Sequence, residues 1–209
     1  MAARIDHAVT SGTFSLDGQT FDVDNNVWVL GDDTECVVFD APHDVNAILA
    51  VVAGRRVRAV LATHGHDDHV LFAPALARAV DAPVLLHPAD RVLWDMVHPD
   101  VPPAGELVDD ETIEVAGTSL RVLHTPGHSP GACSFHAPEL GVVFTGDTLF
   151  AGGPGATGRS YSDFDTIIAS IRTRLLTLPP ETVVHTGHGD STTIGAEAPQ
   201  LEQWLARGH

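Results

Sequence analysis

The stretch VRAVLATHGHDDH, residues 57–69, is the most informative part of the sequence. Its first half, 57–62, is a largely apolar run of strand length, which is typical of a buried strand. Its second half places three histidines and two aspartates between His64 and His69. Packing so many imidazoles and carboxylates together is costly unless a cation holds them. The stretch therefore predicts a rigid strand that carries metal ligands on the loop after it, and a histidine-rich surface loop is the alternative.

Three more strand-like runs end in loops that hold a histidine or an aspartate. His128 follows SLRVLHTPG, Asp147 follows GVVFTG, and His188 stands between two glycines after ETVVHTG. Taken singly, His128 would be an ordinary surface residue and Asp147 a turn or cap residue. Taken together with the first loop, they predict a metal-binding cleft lined by the ends of four strands.

Strand-like runs and helical stretches follow one another along the whole chain. Early strands succeed each other without helices between them, so the sheet is not a simple doubly wound one. The pattern predicts two mixed sheets with helices outside, and 209 residues suit one domain, 1–209, with a full core. The predicted strands are 27–30, 36–39, 57–62, 83–87, 112–115, 119–123, 132–136, 142–145 and 182–185. The predicted helices are 44–53, 73–80, 88–97, 163–176 and 197–206.

The composition narrows the range of partners. Lys plus Arg number 11 against 28 Asp plus Glu, so the formal net charge is −17. Such a surface repels phosphate backbones, which argues against a nucleic-acid partner. No apolar stretch reaches membrane-spanning length, and the N-terminal residues lack the apolar core of a signal peptide. We therefore expect a cytoplasmic protein with a small-molecule substrate and no membrane partner; the sequence carries no signal for an oligomeric state.

Two cysteines do not form a disulfide framework in a chain of this length. Cys36 opens the apolar run CVVFD, which predicts a buried structural thiol. Cys133 stands just after the loop of His128, where plain packing is favoured over a supporting role beside the ligands.

The four loops together resemble the metallo-β-lactamase superfamily. The family pattern is HxHxDH followed in order by His, Asp and His, and this chain has HGHDDH at 64–69, then His128, Asp147 and His188. The resemblance covers nearly the whole chain. It implies an α/β (α+β) fold, a four-layer αββα sandwich that carries the site at its strand ends. It also implies two divalent ions, zinc first, with iron or manganese as alternatives.

The resemblance assigns a role to each ligand position. The two carboxylates, Asp68 and Asp147, are the expected catalytic residues, and Asp147 is expected to bridge the two metals. The expected ligands of metal 1 are His64, His66 and His128, and those of metal 2 are Asp68, His69 and His188.

Further motifs resemble the short bacterial glyoxalase II-like hydrolases. They are TPGHSPG at 125–131, TGDTLF at 145–150 and the Gly-rich segment GGPGATGRSYSDF at 152–164. This resemblance implies a thioester hydrolase in which a metal-bridged hydroxide attacks the carbonyl carbon. Larger glyoxalase II enzymes carry a further helical domain with basic residues for glutathione. This chain ends soon after His188, so glutathione is disfavoured and another small thiol carrier is the alternative.

Three residues outside the ligand set are candidates for other roles at the site. Arg159 and Tyr161 in the Gly-rich segment are candidates for substrate binding, with a loop-anchoring arginine and a packing tyrosine as the alternatives. Asp40, at the end of CVVFD, is a candidate acceptor for a hydrogen bond from a ligand imidazole, with a turn residue as the alternative.

Other activities are alternatives on the same fold. A mononuclear iron persulfide dioxygenase retains an HxHxDH-like motif, and a lactone or small-ester hydrolase would use the same ligands. A true β-lactamase is disfavoured, because those enzymes are typically exported and usually have no acid at the position of Asp147. A binding-only module has no need for seven intact ligands, and the acidic surface disfavours phosphodiester hydrolysis.

Overall fold

The structure is a computed structural model and describes residues 2–208. The predicted domain, 1–209, includes Met1 and His209, which lie outside the described residues. The first sheet pairs its early strands antiparallel and its later strands parallel, which matches the change from hairpin to helix-linked connections. Its strands, in spatial order, are β1 (Arg4–Leu16), β2 (Gln19–Gly31), β3 (Glu35–Phe39), β4 (Arg56–Leu61), β5 (Val84–Leu86) and β6 (Gly105–Glu106).

The second sheet is also mixed. Its strands β10 and β13 run parallel, and the other pairs are antiparallel. The strands, in chain order, are β7 (Thr112–Val115), β8 (Thr118–His124), β9 (Cys133–Ala137), β10 (Val142–Gly146), β13 (Val183–Thr186) and β14 (Thr192–Thr193). A separate two-stranded ribbon is formed by β11 (Leu149–Phe150) and β12 (Gly153–Pro154).

Two of the helices, α1 and α5, begin at a capping aspartate. Asp44 accepts hydrogen bonds from two backbone N–H groups of the first turn of α1, and Asp163 accepts one in α5. No helix among residues 2–208 is long and apolar enough to cross a membrane. The helices are α1 (Val45–Val52), α2 (Asp67–Val70), α3 (Ala73–Val80), α4 (Arg91–Val97), α5 (Phe164–Ser170, continued as a π-helical turn, Ile171–Leu175), α6 (Ile194–Glu197) and α7 (Leu201–Arg207).

Three apolar clusters define four layers. In β3, which is buried on both faces, Cys36 and Val38 pack towards α1, α3 and α4, while Val37 and Phe39 face the second sheet. The outer face of the second sheet packs on α5, α6 and α7 through residues such as Val184. The predicted αββα sandwich, with two mixed sheets and helices outside, is confirmed.

The sequence analysis missed one long element that matters for the site. Every predicted strand is present, but β1 and the first half of β2 were not predicted. They form a hairpin closed by Asp17 and Gly18, both with positive φ (53° and 72°), as a type I′ turn requires. The strand pattern is weak there because most of the first half of β2 is polar and exposed.

Candidate metal centre

The seven predicted ligands lie on loops that follow strand ends, and the fold brings all of them together. β10 and β13 are parallel neighbours, so the residues that follow them, Asp147 and His188, meet at one edge of the sheet. Their ligand atoms fall into three overlapping groups, in each of which the atoms lie within 4.8 Å of one another. The groups are His64, His66 and His128; His64, His69 and Asp147; and Asp68, His69 and His188.

Asp40 connects two of the histidines. Oδ2 of Asp40 lies 2.8 Å from Nδ1 of His69, and the same oxygen accepts a hydrogen bond from the Thr63 hydroxyl at 2.9 Å. The Thr63 oxygen lies in turn 3.0 Å from Nδ1 of His64. In a neutral ring, donation from Nδ1 leaves a lone pair on Nε2, and Nε2 of both rings faces the centre of the site.

Two more histidines are held in the same way by backbone carbonyls. Nδ1 of His128 donates to the carbonyl of Ala156 at 2.9 Å, and Nδ1 of His188 donates to the carbonyl of Asp24 at 2.7 Å. When each ring is neutral, its Nε2 is therefore available as a metal ligand. Both donors fix the ring orientation as metal-binding histidines require.

The inward-facing atoms fit a cation better than they fit each other. Nε2 of His69 lies 3.2 Å from Nε2 of His188, and Nδ1 of His66 lies 3.0 Å from Nε2 of His128. Nε2 of His64 is buried without any hydrogen-bond partner. Converging lone pairs at these distances repel unless a proton or a metal ion lies between them, so the donor set fits imidazole- and carboxylate-binding metals.

Asp147 reaches His128 of the expected first metal site and His69 and His188 of the expected second. One oxygen lies 3.3 Å from Nε2 of His69, and the other lies 3.6 Å from Nε2 of His128 and 3.3 Å from that of His188. This approach requires Gly187, because a Cβ there would lie 2.2 Å from the Asp147 carboxylate. The geometry is that of a carboxylate able to contact two ions.

The two sides of the centre differ in charge. Burial lowers the pKa of His66 to about 3, helped by His128, so this ring is neutral. Burial also lowers the pKa of His188, but Asp147 and Asp68 outweigh it and raise the pKa to about 10. The metal-free protein therefore holds a proton near the carboxylates, at the place where a divalent ion would take over the charge.

Asn25 was missed by the sequence analysis. It is fully buried, and its Nδ2 donates to the backbone carbonyl of Asp68 at 2.9 Å and to Oδ2 of Asp68 at 3.2 Å. The same nitrogen lies 3.2 Å from Nε2 of His69 and 3.4 Å from Nε2 of His188. Its oxygen accepts from Nε2 of His43 at 2.8 Å. The Asn25 amide therefore orients the Asp68 carboxylate.

Asp90 was also missed, and it connects two ligand loops. This buried residue accepts from the backbone N–H of Gly65, between two ligand histidines, at 2.7 Å. It also accepts from the Ser129 hydroxyl at 2.7 Å and from the backbone N–H of Gly131, beside His128. Nothing in the sequence distinguishes this aspartate from a surface residue of the predicted helix 88–97.

A pocket of about 210 Å³ opens above these ligands. The β1–β2 hairpin covers it and is held at two points: the Ser15 N–H donates to the Asp67 carboxylate at 3.1 Å, and Asp17 accepts from the Ser160 N–H at 3.0 Å. The pocket walls are Phe14, Phe21, Val23, Phe150, Ala156, Arg159, Ser160 and Ser162, above His66, Asp68, His128, Asp147 and His188.

The two predicted substrate residues are placed differently. Arg159 lines the pocket, whereas Tyr161 does not, although Ser160 and Ser162 on either side of it do. The chain turns at Tyr161, where φ is 70°, and the residue is 44% exposed outside the lining.

Both cysteines are buried and free. Burial raises the pKa of Cys36 to about 11 and that of Cys133 well above its usual range. The thiols are therefore protonated at neutral pH and are poor nucleophiles.

Comparison with known proteins agrees with this geometry. The chain is 35% identical over 154 residues to the hydroxyacylglutathione hydrolase GloC of Haemophilus influenzae, covering 68% of this chain and 73% of that protein. The crystal structure of the B3 metallo-β-lactamase BLEG-1 matches with a TM-score of 0.77 and 30% identity, over 91% of this chain and 97% of that one. The di-iron-bound form of TTHA1623 matches with a TM-score of 0.74 and 36% identity, over 84% and 93%. The model of the metallo-β-lactamase superfamily matches residues 20–188, and the chain belongs to this superfamily.

Proposed function

We propose that the protein is a metal-dependent hydrolase that cleaves the thioester of a small thiol carrier. The observation that carries the proposal is Asp147, whose two oxygens reach histidines of both expected metal sites. A carboxylate so placed suits two ions rather than one. The likeness to GloC, a protein named as a hydroxyacylglutathione hydrolase, supports the thioester.

The chain's residues fit the demands of thioester cleavage. When bound, two ions would supply an activated water and polarise the carbonyl oxygen. Asp147 and Asp68 would balance their charge, while Asp40 and Asn25 hold the ligands in place. A thiolate leaves without a strong general acid, so the largely apolar wall of Phe14, Phe21 and Phe150 is sufficient on the leaving-group side.

We extend the proposal to zinc as the metal and to a small-molecule substrate in the cytoplasm. Three or more imidazoles with carboxylates suit zinc, and the same donors also accept iron or manganese. The net charge of −17 argues against a nucleic-acid substrate.

The test is metal content together with an activity screen. Protein loaded with zinc, iron or manganese is assayed for thiol release from S-lactoyl thioesters, and for cleavage of a lactone, a phosphodiester and a chromogenic β-lactam. An oxygen electrode with glutathione persulfide runs in parallel. We expect two ions per chain and thiol release without oxygen uptake.

Two outcomes would overturn the assignment. Iron-dependent oxygen uptake with no thiol release would identify a dioxygenase. A metal-loaded structure with one ion, and with Asp68 and His188 turned away from it, would exclude the shared two-metal site.

A further inference from the structure

We propose that Arg159, held between Phe14 and Phe21, binds a carboxylate of the substrate, which is therefore a small thioester with one negative charge. That the substrate is a thioester rests on the proposed function, whereas the carboxylate-binding site rests on the residues of the pocket itself.

The guanidinium of Arg159 is positioned by aromatic rings alone. Its central carbon lies 5.1 Å from the ring centre of Phe14 and 4.6 Å from that of Phe21, within the range of cation–π contacts. Both rings belong to the hairpin over the pocket, and all three side chains line it. The contacts leave the edge of the guanidinium, where its N–H donors are, without a protein acceptor.

The donors of Arg159 are unused. One terminal nitrogen is shielded from solvent and has no hydrogen-bond partner, which is costly for a charged group. No carboxylate among residues 2–208 forms a salt bridge with it. The nearby Asp17 carboxylate is held by the Ser160 backbone, and those hydrogen bonds, more than Arg159, lower its pKa. A substrate carboxylate would supply the missing acceptor.

A structural arginine of the same protein shows what an anchoring role requires. Buried Arg55 donates to the carbonyls of Val52 at 2.8 Å and Val51 at 2.6 Å and pairs with Asp6 at 2.8 Å. Arg159 makes no such bond: its loop is closed by its own backbone and the Ser162 hydroxyl. The guanidinium is therefore available to a ligand.

The rest of the pocket limits the substrate. Arg159 is the one Lys or Arg among the lining residues, and the volume of about 210 Å³ is modest. A second carboxylate on the same part of the substrate would have no second arginine or lysine of the pocket wall to pair with. The apolar remainder of the substrate would lie against Val23 and Phe150.

The experiment uses matched probes on zinc-loaded protein. S-Acetyl-3-mercaptopropionate, whose carboxylate is on the thiol side of the thioester, is compared with its neutral amide. The adipic acid monothioester of N-acetylcysteamine, whose carboxylate is on the acyl side, is compared with its methyl ester. In the pair whose acid places its carboxylate beside Arg159, the Arg159→Met substitution should raise KM for the acid about 10–100-fold, with kcat nearly unchanged. The neutral partner should change less than twofold, and Arg159→Lys should restore part of the loss.

A binding measurement separates this inference from the proposed function. The uncleavable thioether S-ethyl-3-mercaptopropionate and its amide are titrated into wild type and Arg159→Met and followed by NMR shifts. If no thioester is cleaved but the acid still binds better than the amide in wild type only, the subsite stands and the hydrolase proposal fails. Equal binding of acid and amide to wild type, or an equal loss for both in Arg159→Met, would overturn the subsite.

Discussion

The cluster of seven ligands, five of which line the floor of the pocket, is largely buried, whereas the roof, formed by Phe14, Phe21 and Arg159, is partly exposed. Ligand side chains range from 0% exposure at His69 to 24% at His188, and each of these rings is held by an oxygen behind it. Phe21 in the roof is 40% exposed, and a buried terminal nitrogen of Arg159 has no hydrogen-bond partner among residues 2–208. A rigid polar floor suits chemistry that tolerates little displacement, and a loosely held roof suits selection of the substrate.

The largest effect is expected at the centre of the floor. Asp147→Ala should remove the second ion and lower activity ~10³-fold, because both ions lose their shared carboxylate. The chain should stay folded, since the ligand loops lie beyond the strand ends. Metal analysis, activity and circular dichroism of the variant test this. Removing the metal from wild type should lower stability only through binding linkage, so complete unfolding on chelation at moderate temperature would contradict it.

A comparable but mostly structural loss is expected at Asp90. Asp90→Ala leaves the N–H groups of Gly65 and Gly131 without acceptors, which should lower the free energy of unfolding by about 3 kcal/mol. Metal content should fall with it, because two ligand loops lose their connection. The control is Asp95→Ala in α4, which follows Asp90; its exposed pair with Arg91 should matter by less than about 0.5 kcal/mol. Urea unfolding measures the free energy of unfolding of both variants. Equal losses would contradict the proposed role of Asp90 in connecting the two ligand loops.

The second ion should depend on Asn25. Asn25→Leu removes the donors to Asp68, and loss of such a partner weakens metal binding about 10–100-fold. The first ion, on the histidine group of His64, should bind as before. Competition with a chromogenic chelator measures both affinities. Asn25→Asp keeps the shape but removes the donors, so it distinguishes lost hydrogen bonds from poor packing; unchanged affinity for the second ion in both variants would contradict the role.

Among the residues that support the ligands, Asp40 was a candidate from the sequence, whereas Asn25 and Asp90 were not, for a physical reason. Each ligand follows an apolar strand within a few residues, which is a local pattern. Asn25 lies 43 residues from Asp68, and Asp90 lies 41 residues from Gly131, so only the folded chain brings these partners together.

The roof was missed for a different reason. The Asp17–Gly18 turn is a strong local hairpin signal, but the polar first half of β2 obscured the strand alternation around it. Arg159 was named as a candidate from its Gly-rich segment, yet its aromatic contacts come from this unpredicted hairpin. The single domain, 1–209, stays a prediction.

Acid should destabilise the fold through His185, whose ring packs against Trp28. Burial, with a contribution from His7, lowers the pKa of His185 from 6.5 to about 4. Between these values the unfolded chain binds more protons than the folded one, so the free energy of unfolding falls as pH falls from about 6.5 towards 4. Between about pH 7 and 5, the free energy of unfolding of His185→Gln should fall by about 1 kcal/mol less than that of wild type. This figure is reduced for the partial solvent exposure of the ring. Urea unfolding of chelated proteins at both pH values tests it; equal losses would contradict the assignment.

The smallest effect is expected in the roof. Phe21→Ala removes one of the two rings beside Arg159, and an exposed cation–π contact contributes about 0.5–1 kcal/mol. KM for the thioester acid preferred by wild type should therefore rise about two- to fivefold, while kcat and the metal content stay unchanged. Val9→Ala is the matched control, because Val9 is an exposed apolar residue of the same hairpin (54%) that does not line the pocket. Both variants should unfold within about 0.5 kcal/mol of wild type. A fall in kcat or loss of metal in Phe21→Ala would show that the roof takes part in the chemistry, and the division between floor and roof would then be wrong.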